Sequence, residues 1–159
     1  MNFKGIRWKT LIGAIVLPLI TGFISFLLTM GGMKKMGELN QPPLSPPSWL
    51  FPIVWTILYI VMGVASYLVI IHSDNEKLLT KSLKVYLIQL FFNFMWSIFF
   101  FALELYTFAF LWLIVLFALI SVTAVRFYKI DPRSAYLLIP YLVWVAFAGY
   151  LNLGVAILN

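Results

Sequence analysis

The sequence predicts an all-α, polytopic membrane protein built as a bundle of five transmembrane helices. Of its 159 residues, 64% are hydrophobic and 10% are charged, compared with about 25% charged residues in a typical soluble domain. The mean hydropathy of +1.03 is too high for a soluble core of this size. Charged residues divide the chain into five uncharged segments, each able to supply the roughly 20 residues of a spanning helix. We therefore expect one membrane domain, residues 1–159, surrounded by the lipid bilayer.

The five apolar segments predict five helices in chain order. They are expected near residues 9–30, 48–71, 82–102, 106–127 and 134–156. Runs such as FLWLIVLFALISV lack the alternation of a barrel strand. The first apolar run is too long for the core of a signal peptide and no A-x-A-like site follows it, so we expect a retained helix. Pro18 and Pro140 each remove a backbone hydrogen bond, so both should interrupt or kink their helices.

The connection between the first two helices, residues 31–47, is the longest in the chain and contains the stiff stretch PPLSPP. Long connections in compact domains are commonly linkers or functional loops. The prolines favour a stiff lid over one end of the bundle. By contrast, the third and fourth helices are joined by a tight turn around Glu104.

Basic residues are distributed unequally between the two ends of the predicted bundle. Nine of them fall on the side of the N-terminus: Lys4, Arg7, Lys9, Lys77, Lys81, Lys84, Arg126, Lys129 and Arg133. Only Lys34 and Lys35 fall on the other side. Because basic loops stay in the cytoplasm, the N-terminus should be cytoplasmic and the C-terminus and proline loop outside. This asymmetry accounts for the net charge of +6, and nucleic-acid binding is not expected because no basic stripe lies on a soluble element.

Several kinds of chemistry lack candidate residues. No charged side chain lies deep in a predicted helix, which disfavours proton-coupled transport. There is no cysteine, and the single histidine, His72, lies at a helix end, so no metal site or metal cofactor is predicted. No nucleophile, base and orienting group can be assembled for hydrolysis.

Helical spacing gathers aromatic and amide side chains on three faces. The stripes are Trp55, Tyr59, Met62 and Ser66 in the second helix, Gln89, Asn93, Trp96 and Ser97 in the third, and Tyr141, Trp144, Ala148 and Asn152 in the fifth. Amides in hydrocarbon need partners, so these faces should point into the bundle. Two interpretations stay open: amides that only join helices, or a pocket for a flat, apolar ligand. For Trp8 and Trp49, near helix ends, an interfacial role is favoured.

The segment PPLSPPSWLFPIVWTILYIVMG resembles the signature of the translocator protein family, also called tryptophan-rich sensory proteins or peripheral-type benzodiazepine receptors. QLFFNFMWSIFFF and LIPYLVWVAFAGYLN fit the same family in the right order, so the resemblance covers nearly the whole chain. It implies a five-helix bundle, often a homodimer, in the cytoplasmic membrane of a bacterium. It also implies a pocket, opening toward the 31–47 loop, for porphyrins, sterols or benzodiazepine-type ligands.

Carried onto this chain, the family's pocket positions fall on Trp55, Asn93, Trp144, Ala148 and Asn152. With the stripe residues Tyr59, Trp96 and Tyr141, they form the predicted ligand-binding set. The expected function is binding of a planar hydrophobic ligand, most of all a tetrapyrrole such as protoporphyrin IX. The alternatives are light-dependent porphyrin breakdown, with Trp55 and Trp144 as the photochemical residues, and transport or sensing of tetrapyrroles.

The chain departs from the family in the loop between the first two helices. Lys35, Met36 and Leu44 stand where the family usually has aromatic residues. The predicted lid therefore offers fewer stacking surfaces to a ligand.

Overall fold

The computed structural model describes residues 6–159, except for the side chain of Lys34. The α-helices are α1 (Trp8–Lys35), α2 (Leu50–His72), α3 (Glu76–Ser97), α4 (Tyr106–Tyr128), α5 (Pro132–Leu137) and α6 (Ile139–Leu158). Residues 6–159 contain no strand, and five helical stretches are long and apolar enough to cross a membrane, with α5 and α6 together forming the fifth. The predicted fold class is confirmed. Lys4, which contributed to the basic count, lies outside the described residues.

The first helix is longer than predicted. It continues past residue 30 to Lys35, and a 3-10 turn, Met36–Glu38, follows it. The predicted end near residue 30 falls just before Gly31 and Gly32. However, a Cβ at Gly32 would lie only 1.7 Å from the carbonyl oxygen of Phe101. Glycine is therefore required there by the close approach of another segment, and the loop proper shortens to residues 39–49.

Two other helices begin at different places from those predicted. α2 begins at Leu50 rather than 48 and accepts Pro52 in its first turn, where backbone N–H groups have no intrahelical partner. α3 begins at Glu76 rather than 82, because the Asn75 side chain accepts a hydrogen bond from the N–H of Leu78. This cap stabilises a polar first turn that hydropathy alone does not reveal.

The fifth span is divided, whereas the first is not. Asp131 caps α5 through the N–H of Arg133 at 2.9 Å, and the helix is interrupted at Leu138, next to Pro140. The predicted break at Pro140 is therefore confirmed. At Pro18, by contrast, α1 continues without a break, so of the two expected outcomes an interruption does not occur there, and a kink stays a prediction. One missing hydrogen bond is tolerated in a long spanning helix.

The five spans form a closed ring. α1 packs on α2, α2 on α5, α5 and α6 on α4, and α4 on α3. The ring closes through a π-helical segment, Ile98–Ala102, that extends α3 and packs against α1. A π-helical turn changes the direction in which the following side chains point, and Phe101 of this segment lines a cavity beside α1.

The two ends of the bundle differ in their contents. At one end, here called the basic end, the buried carboxylate of Asp131 contacts Arg133 at 2.8 Å and His72 at 3.0 Å. At the other, here called the loop end, the backbone N–H of Asn40 donates to the Asn159 side chain at 3.0 Å. The loop and the C-terminus therefore lie at the same end, as predicted.

Candidate ligand site

A chain of hydrogen bonds joins α2, α3 and α6 in the bundle interior. The hydroxyl of Tyr59 donates to Oδ1 of Asn93 at 2.8 Å, and Nδ2 of Asn93 donates to the hydroxyl of Tyr141 at 3.0 Å. Tyr141 in turn donates to Oε1 of Gln89 at 3.0 Å. Gln89, Asn93 and Tyr141 are each no more than 1% exposed. The prediction that these amides face the interior is confirmed, and each has found a partner.

A second pair of hydrogen bonds lies nearer the loop end. The indole N–H of Trp96 donates to Oδ1 of Asn152 at 3.1 Å, and Nδ2 of Asn152 donates to the backbone oxygen of Tyr106 at 2.7 Å. These contacts join α3, α6 and the start of α4. Asn152 therefore orients Trp96 and holds three spans together.

Trp55 lies among three other aromatic side chains of the predicted set. Its ring centroid is 5.7 Å from that of Tyr59, 5.9 Å from Trp96 and 6.2 Å from Tyr141. These separations are typical of interacting aromatic pairs. The structure thus brings six of the eight predicted site residues into one connected cluster: Trp55, Tyr59, Asn93, Trp96, Tyr141 and Asn152.

Trp144 lies apart from this cluster. Its ring contacts Phe51 at 6.0 Å and Phe147 at 5.6 Å. Its indole nitrogen is buried and has no hydrogen-bond partner among the described residues. A buried indole N–H ordinarily finds an acceptor, so this one is a donor available to another molecule. Ala148, one turn further on, is buried at 4% exposure and lines neither of the two cavities described below.

The larger cavity, here called the lateral cavity, lies between α1, α2 and the π-helical segment and measures about 460 Å³. Trp55 and Tyr59 form part of its α2 wall. Leu19, Gly22, Ser25, Thr29 and Met33 are among its residues from α1. No other member of the predicted set among the described residues lines this cavity. Asn93 is hydrogen-bonded to Tyr141 and Trp96 to Asn152 in the bundle interior, and Trp144 lies apart from them.

A second cavity of about 310 Å³ lies beneath the loop, and we call it the loop cavity. Phe51, Met36, Gln41 and Ser45 are among the residues that line it. Met33 and Phe101 line both cavities. The two spaces are therefore neighbours, separated by these side chains, and each lies within the range of about 300–1,000 Å³ common for ligand sites.

The loop is held over this end by α6. The hydroxyl of Tyr150 donates to the backbone oxygen of Pro43 at 2.8 Å, and Asn159 and Asn40 bond reciprocally at 3.0 and 3.1 Å. A Cβ at Gly154 would lie 2.5 Å from the Pro42 ring. The absence of a side chain at Gly154 lets the proline loop rest directly on α6.

The residues that depart from the family's loop have separate roles here. Lys35 forms an ion pair with Glu104 at 2.6 Å, joining the end of α1 to the turn before α4. Met36 lines the loop cavity. Leu44 is 83% exposed and has a φ of 66°, so it contributes nothing to the cavity wall.

Most of the cavity residues were not singled out in the sequence, and Met33, Phe51 and Phe101 are among them. Phe51 precedes Pro52 in a uniformly apolar run, and Phe101 follows two other phenylalanines, so neither has a distinguishing pattern. Phe101 also follows the onset of the π-helical segment, where α-helical spacing no longer assigns faces. Among residues 6–159, no group of three or more His, Asp or Glu side chains is placed to hold a metal ion.

A ring of five spans with an interior aromatic and amide cluster, and cavities at one end, defines a polytopic membrane protein with a built ligand-sized space. Comparison with known proteins makes the assignment more particular: the chain matches the TspO/MBR family over residues 14–158 and belongs to that family. It is 33% identical to a translocator protein of Bos taurus over 147 residues, covering 91% of this chain and 87% of that protein.

Bacterial relatives are equally similar. The chain is 36% identical to a tryptophan-rich protein TspO of Chlorobaculum tepidum over 121 residues, covering 76% of this chain and 77% of the relative. It is 31% identical to a tryptophan-rich sensory protein of Cereibacter sphaeroides over 147 residues, covering 86% and 90% of the two chains. The resemblance stated from the sequence motifs is confirmed.

Proposed function

We propose that this protein binds a planar hydrophobic ligand, most of all a tetrapyrrole such as protoporphyrin IX, at the loop end of the bundle. The observation that carries the proposal is the pair of adjoining cavities, of about 460 and 310 Å³, beside the cluster around Trp55. A flat aromatic ligand needs a space of this size, aromatic faces to stack on and a few hydrogen-bond donors. This part of the bundle offers all three.

The indole N–H of Trp144 supplies a donor for such a ligand. Phe51 contacts Trp144 and also lines the loop cavity, so rotation of the Phe51 ring would expose the indole to a molecule held there. A carboxylate or carbonyl oxygen of the ligand would then pair the N–H, which is unpartnered in the structure. Lys35 lies at the same end and offers a charge for ligand carboxylates, although it would have to leave Glu104.

Light-dependent breakdown of the bound porphyrin is the second candidate function. The observation that favours it is the contact of Trp55 with Trp96, Tyr59 and Tyr141, all within 6.2 Å between ring centroids. Indole and phenol side chains are oxidisable, and a chain of them can supply an electron to an excited porphyrin. The porphyrin anion radical would pass that electron to dioxygen, giving superoxide, and the side-chain radical would recover an electron from the porphyrin. The resulting porphyrin cation radical would combine with superoxide, so that the net reaction is addition of dioxygen to the macrocycle.

The test is a titration of the purified protein with metal-free porphyrin, in darkness and under illumination. Trp144→Ala should weaken binding by about threefold to tenfold, since it removes a stacking surface and a donor. Trp144→Phe should keep most of the stacking. Unchanged affinity in Trp144→Ala would place the site away from this residue.

The illuminated arm tests the second function separately. Trp55→Phe and Trp144→Phe should both retain porphyrin and slow its photobleaching, because phenylalanine is a poorer electron donor than indole. Unchanged photobleaching in both variants would leave binding standing and remove the tryptophan chemistry.

A homodimer is a further prediction from the family, and light scattering of the detergent complex measures it.

A further inference from the structure

The lateral cavity opens toward lipid rather than toward water. Its rim includes Phe23 and Phe26 of α1, which are 61% and 44% exposed, and the exposed residues Pro52 and Thr56 of α2. Both helices are long and apolar enough to span the bilayer. Side chains exposed along such helices face hydrocarbon, so a molecule reaches this opening from among the acyl chains.

Two of the hydroxyl groups around the cavity are already hydrogen-bonded within their own helices. The hydroxyl of Thr29 donates to the backbone oxygen of Ser25 at 2.8 Å, and that of Thr56 donates to Pro52 at 2.7 Å. These hydroxyls therefore need no water or ligand to satisfy them. No Asp, Glu, Lys or Arg of the described residues lines the cavity, so the apolar ring of the ligand loses no solvation there beyond that already lost in the bilayer. The carboxylates of a porphyrin would stay outside the cavity, toward the loop end where Lys35 lies.

The partition between the lateral and loop cavities consists of side chains. Phe101 is held by its backbone, which lies against Gly32, and its two aromatic neighbours, Phe100 at 4.8 Å and Trp96 at 6.0 Å, both meet its ring edge-on rather than stacked. Met33, the other shared residue, has an unbranched and adaptable side chain. Rotation of these two side chains would join the cavities without moving a helix.

The alternative path, from water through the loop, needs more contacts to break. The loop is bonded to α6 through Asn40, Pro43, Tyr150 and Asn159, and Pro42 rests on Gly154. Opening this path requires the loop backbone to leave α6, whereas the lateral path requires only rotamer changes.

We propose that the lateral cavity is a docking site at which the planar hydrophobic ligand leaves the bilayer, and that Phe101 and Met33 are the partition it passes to reach the loop cavity. The inference rests on the proposed ligand-binding function and adds the route and the residues that control its rate. The two cavities adjoin and share Met33 and Phe101 as a wall, which supports the same ligand as the occupant of both.

The first test blocks the opening from lipid. Thr56→Trp puts a large ring at the rim of the lateral cavity, while Ile57→Trp puts the same ring on α2 at a position that is 54% exposed and not part of the cavity wall. With protein in liposomes loaded with metal-free porphyrin, stopped-flow quenching should show association and dissociation slowed about tenfold in Thr56→Trp alone. The dissociation constant should change little, because a blocked route slows both directions equally.

The second test opens the partition. Phe101→Ala should accelerate both rates about tenfold, whereas Phe99→Ala, in the same π-helical segment but packed on Phe108 and Trp112, should not. Phe101→Ala tests the route independently of Thr56→Trp, which would have no effect if its ring turned away into lipid and left the opening clear. Unchanged rates in both Thr56→Trp and Phe101→Ala would overturn the inference.

The third test holds the loop in place. The chain has no cysteine, so Asn40→Cys with Asn159→Cys introduces a single disulfide, verified by mass and reversed by reductant. Porphyrin rates that are equal in the oxidised and reduced forms support the lateral route, and rates that fall on oxidation overturn it. If the wild-type protein does not bind porphyrin at all, the proposed function fails instead, and the two failures are thereby distinguished.

Discussion

The two ends of this bundle are built differently. At the basic end, side chains from α2 to α5 fill the interior, and Val69, Ser82, Tyr86, Thr123, Phe127 and Ser134 are each no more than 2% exposed. At the loop end, α1, α2 and the π-helical segment leave two cavities, and backbone conformations with positive φ occur at Leu44 and Glu104. The packed interior of the basic end holds the spans together, and the loop end can therefore contain two cavities without the bundle coming apart.

The difference follows from how α1 is held. In its most apolar window only 11% of the residues are buried, compared with 44% in α2. α1 makes a close backbone contact with α2 at Gly63 and another with the π-helical segment at Gly32. Between these two backbone contacts the helices are spaced by the Tyr59 ring, which lies against Gly22, and the lateral cavity lies in that interval. A helix whose backbone touches its neighbours at these two points provides a cavity wall without requiring a larger bundle.

The largest expected effect is an all-or-none difference in reporter activity between two fusions. It shows which end of the bundle faces the cytoplasm. The excess of basic residues at the basic end predicts that it faces the cytoplasm. A reporter that is active only outside the cytoplasm, fused after Asn159, should be active, and the same reporter fused at the N-terminus should be silent. A cytoplasmic signal from the C-terminal fusion would reverse the assignment of the loop end.

The next effect concerns the contact between α1 and α2. A Cβ at Gly63 would lie 2.5 Å from the Cα of Ile15, so Gly63→Ala should force the helices apart and lower the free energy of unfolding by about 1–3 kcal/mol. Gly13→Ala is the matched control, since nothing lies within 4 Å of its Cβ position. Thermal unfolding in detergent measures both, and equal melting temperatures would contradict the two-point attachment of α1.

The contribution of Asp131 to folding stability should be greatest at pH values above the ordinary pKa of its carboxyl, 3.8. The Arg133 guanidinium holds the pKa of the Asp131 carboxyl below its ordinary value of 3.8, and His72 adds to the effect. A depressed pKa in the folded state means that the stabilisation is present above the unfolded value and lost as the pH falls through the folded value. Asp131→Ala should cost about 0.5–2 kcal/mol from the helix cap alone, with the charge contacts in addition.

Two substitutions at Asp131 distinguish the stabilisation by the helix cap from the stabilisation by the charge. Asp131→Asn keeps a capping side chain, so its melting temperature should fall less than that of Asp131→Ala and approach that of the wild type below about pH 3.8. Asp74→Ala, an exposed position near the same end, is the control. A difference between wild type and Asp131→Asn that persists unchanged at pH 3 would disprove the electrostatic part.

The smallest effect on stability is expected for the interior amide. Asn93→Leu removes the acceptor of the Tyr59 hydroxyl and a donor to Tyr141. Hydrogen bonds within membranes are worth about 0.6 kcal/mol on average and rarely above about 1.7, so the fold should survive while porphyrin affinity falls. Phe91→Leu, at a position 55% exposed, is the control. Unfolding of Asn93→Leu would favour the interpretation that the amides only join helices.

Much of this arrangement follows from the sequence, because each part has a local cause. Amides cannot be left in hydrocarbon, so the interior position of Gln89, Asn93 and Asn152 was predictable from spacing. The position of Trp144 apart from the cluster around Trp55 was not predictable from spacing. One face of a helix is wide enough for two of its side chains to contact different neighbouring residues. Phe101 and the cavity it divides depend on a π-helical turn and on the close approach at Gly32, neither of which leaves a periodic signal.

The central claim is that ligand binding belongs to the loop end and the cavity beside Trp55. The most direct measurement is the dissociation constant of metal-free porphyrin for Trp55→Ala and for Trp112→Ala, with melting temperatures recorded for both. Trp112 is also a half-buried bundle tryptophan, but it stacks on Phe92 at 4.2 Å and lines neither cavity. Trp55→Ala should weaken porphyrin binding by about threefold to tenfold. Trp112→Ala should leave the affinity of the folded protein unchanged. Equal affinities in the two variants, or a greater loss in Trp112→Ala, would contradict the central claim.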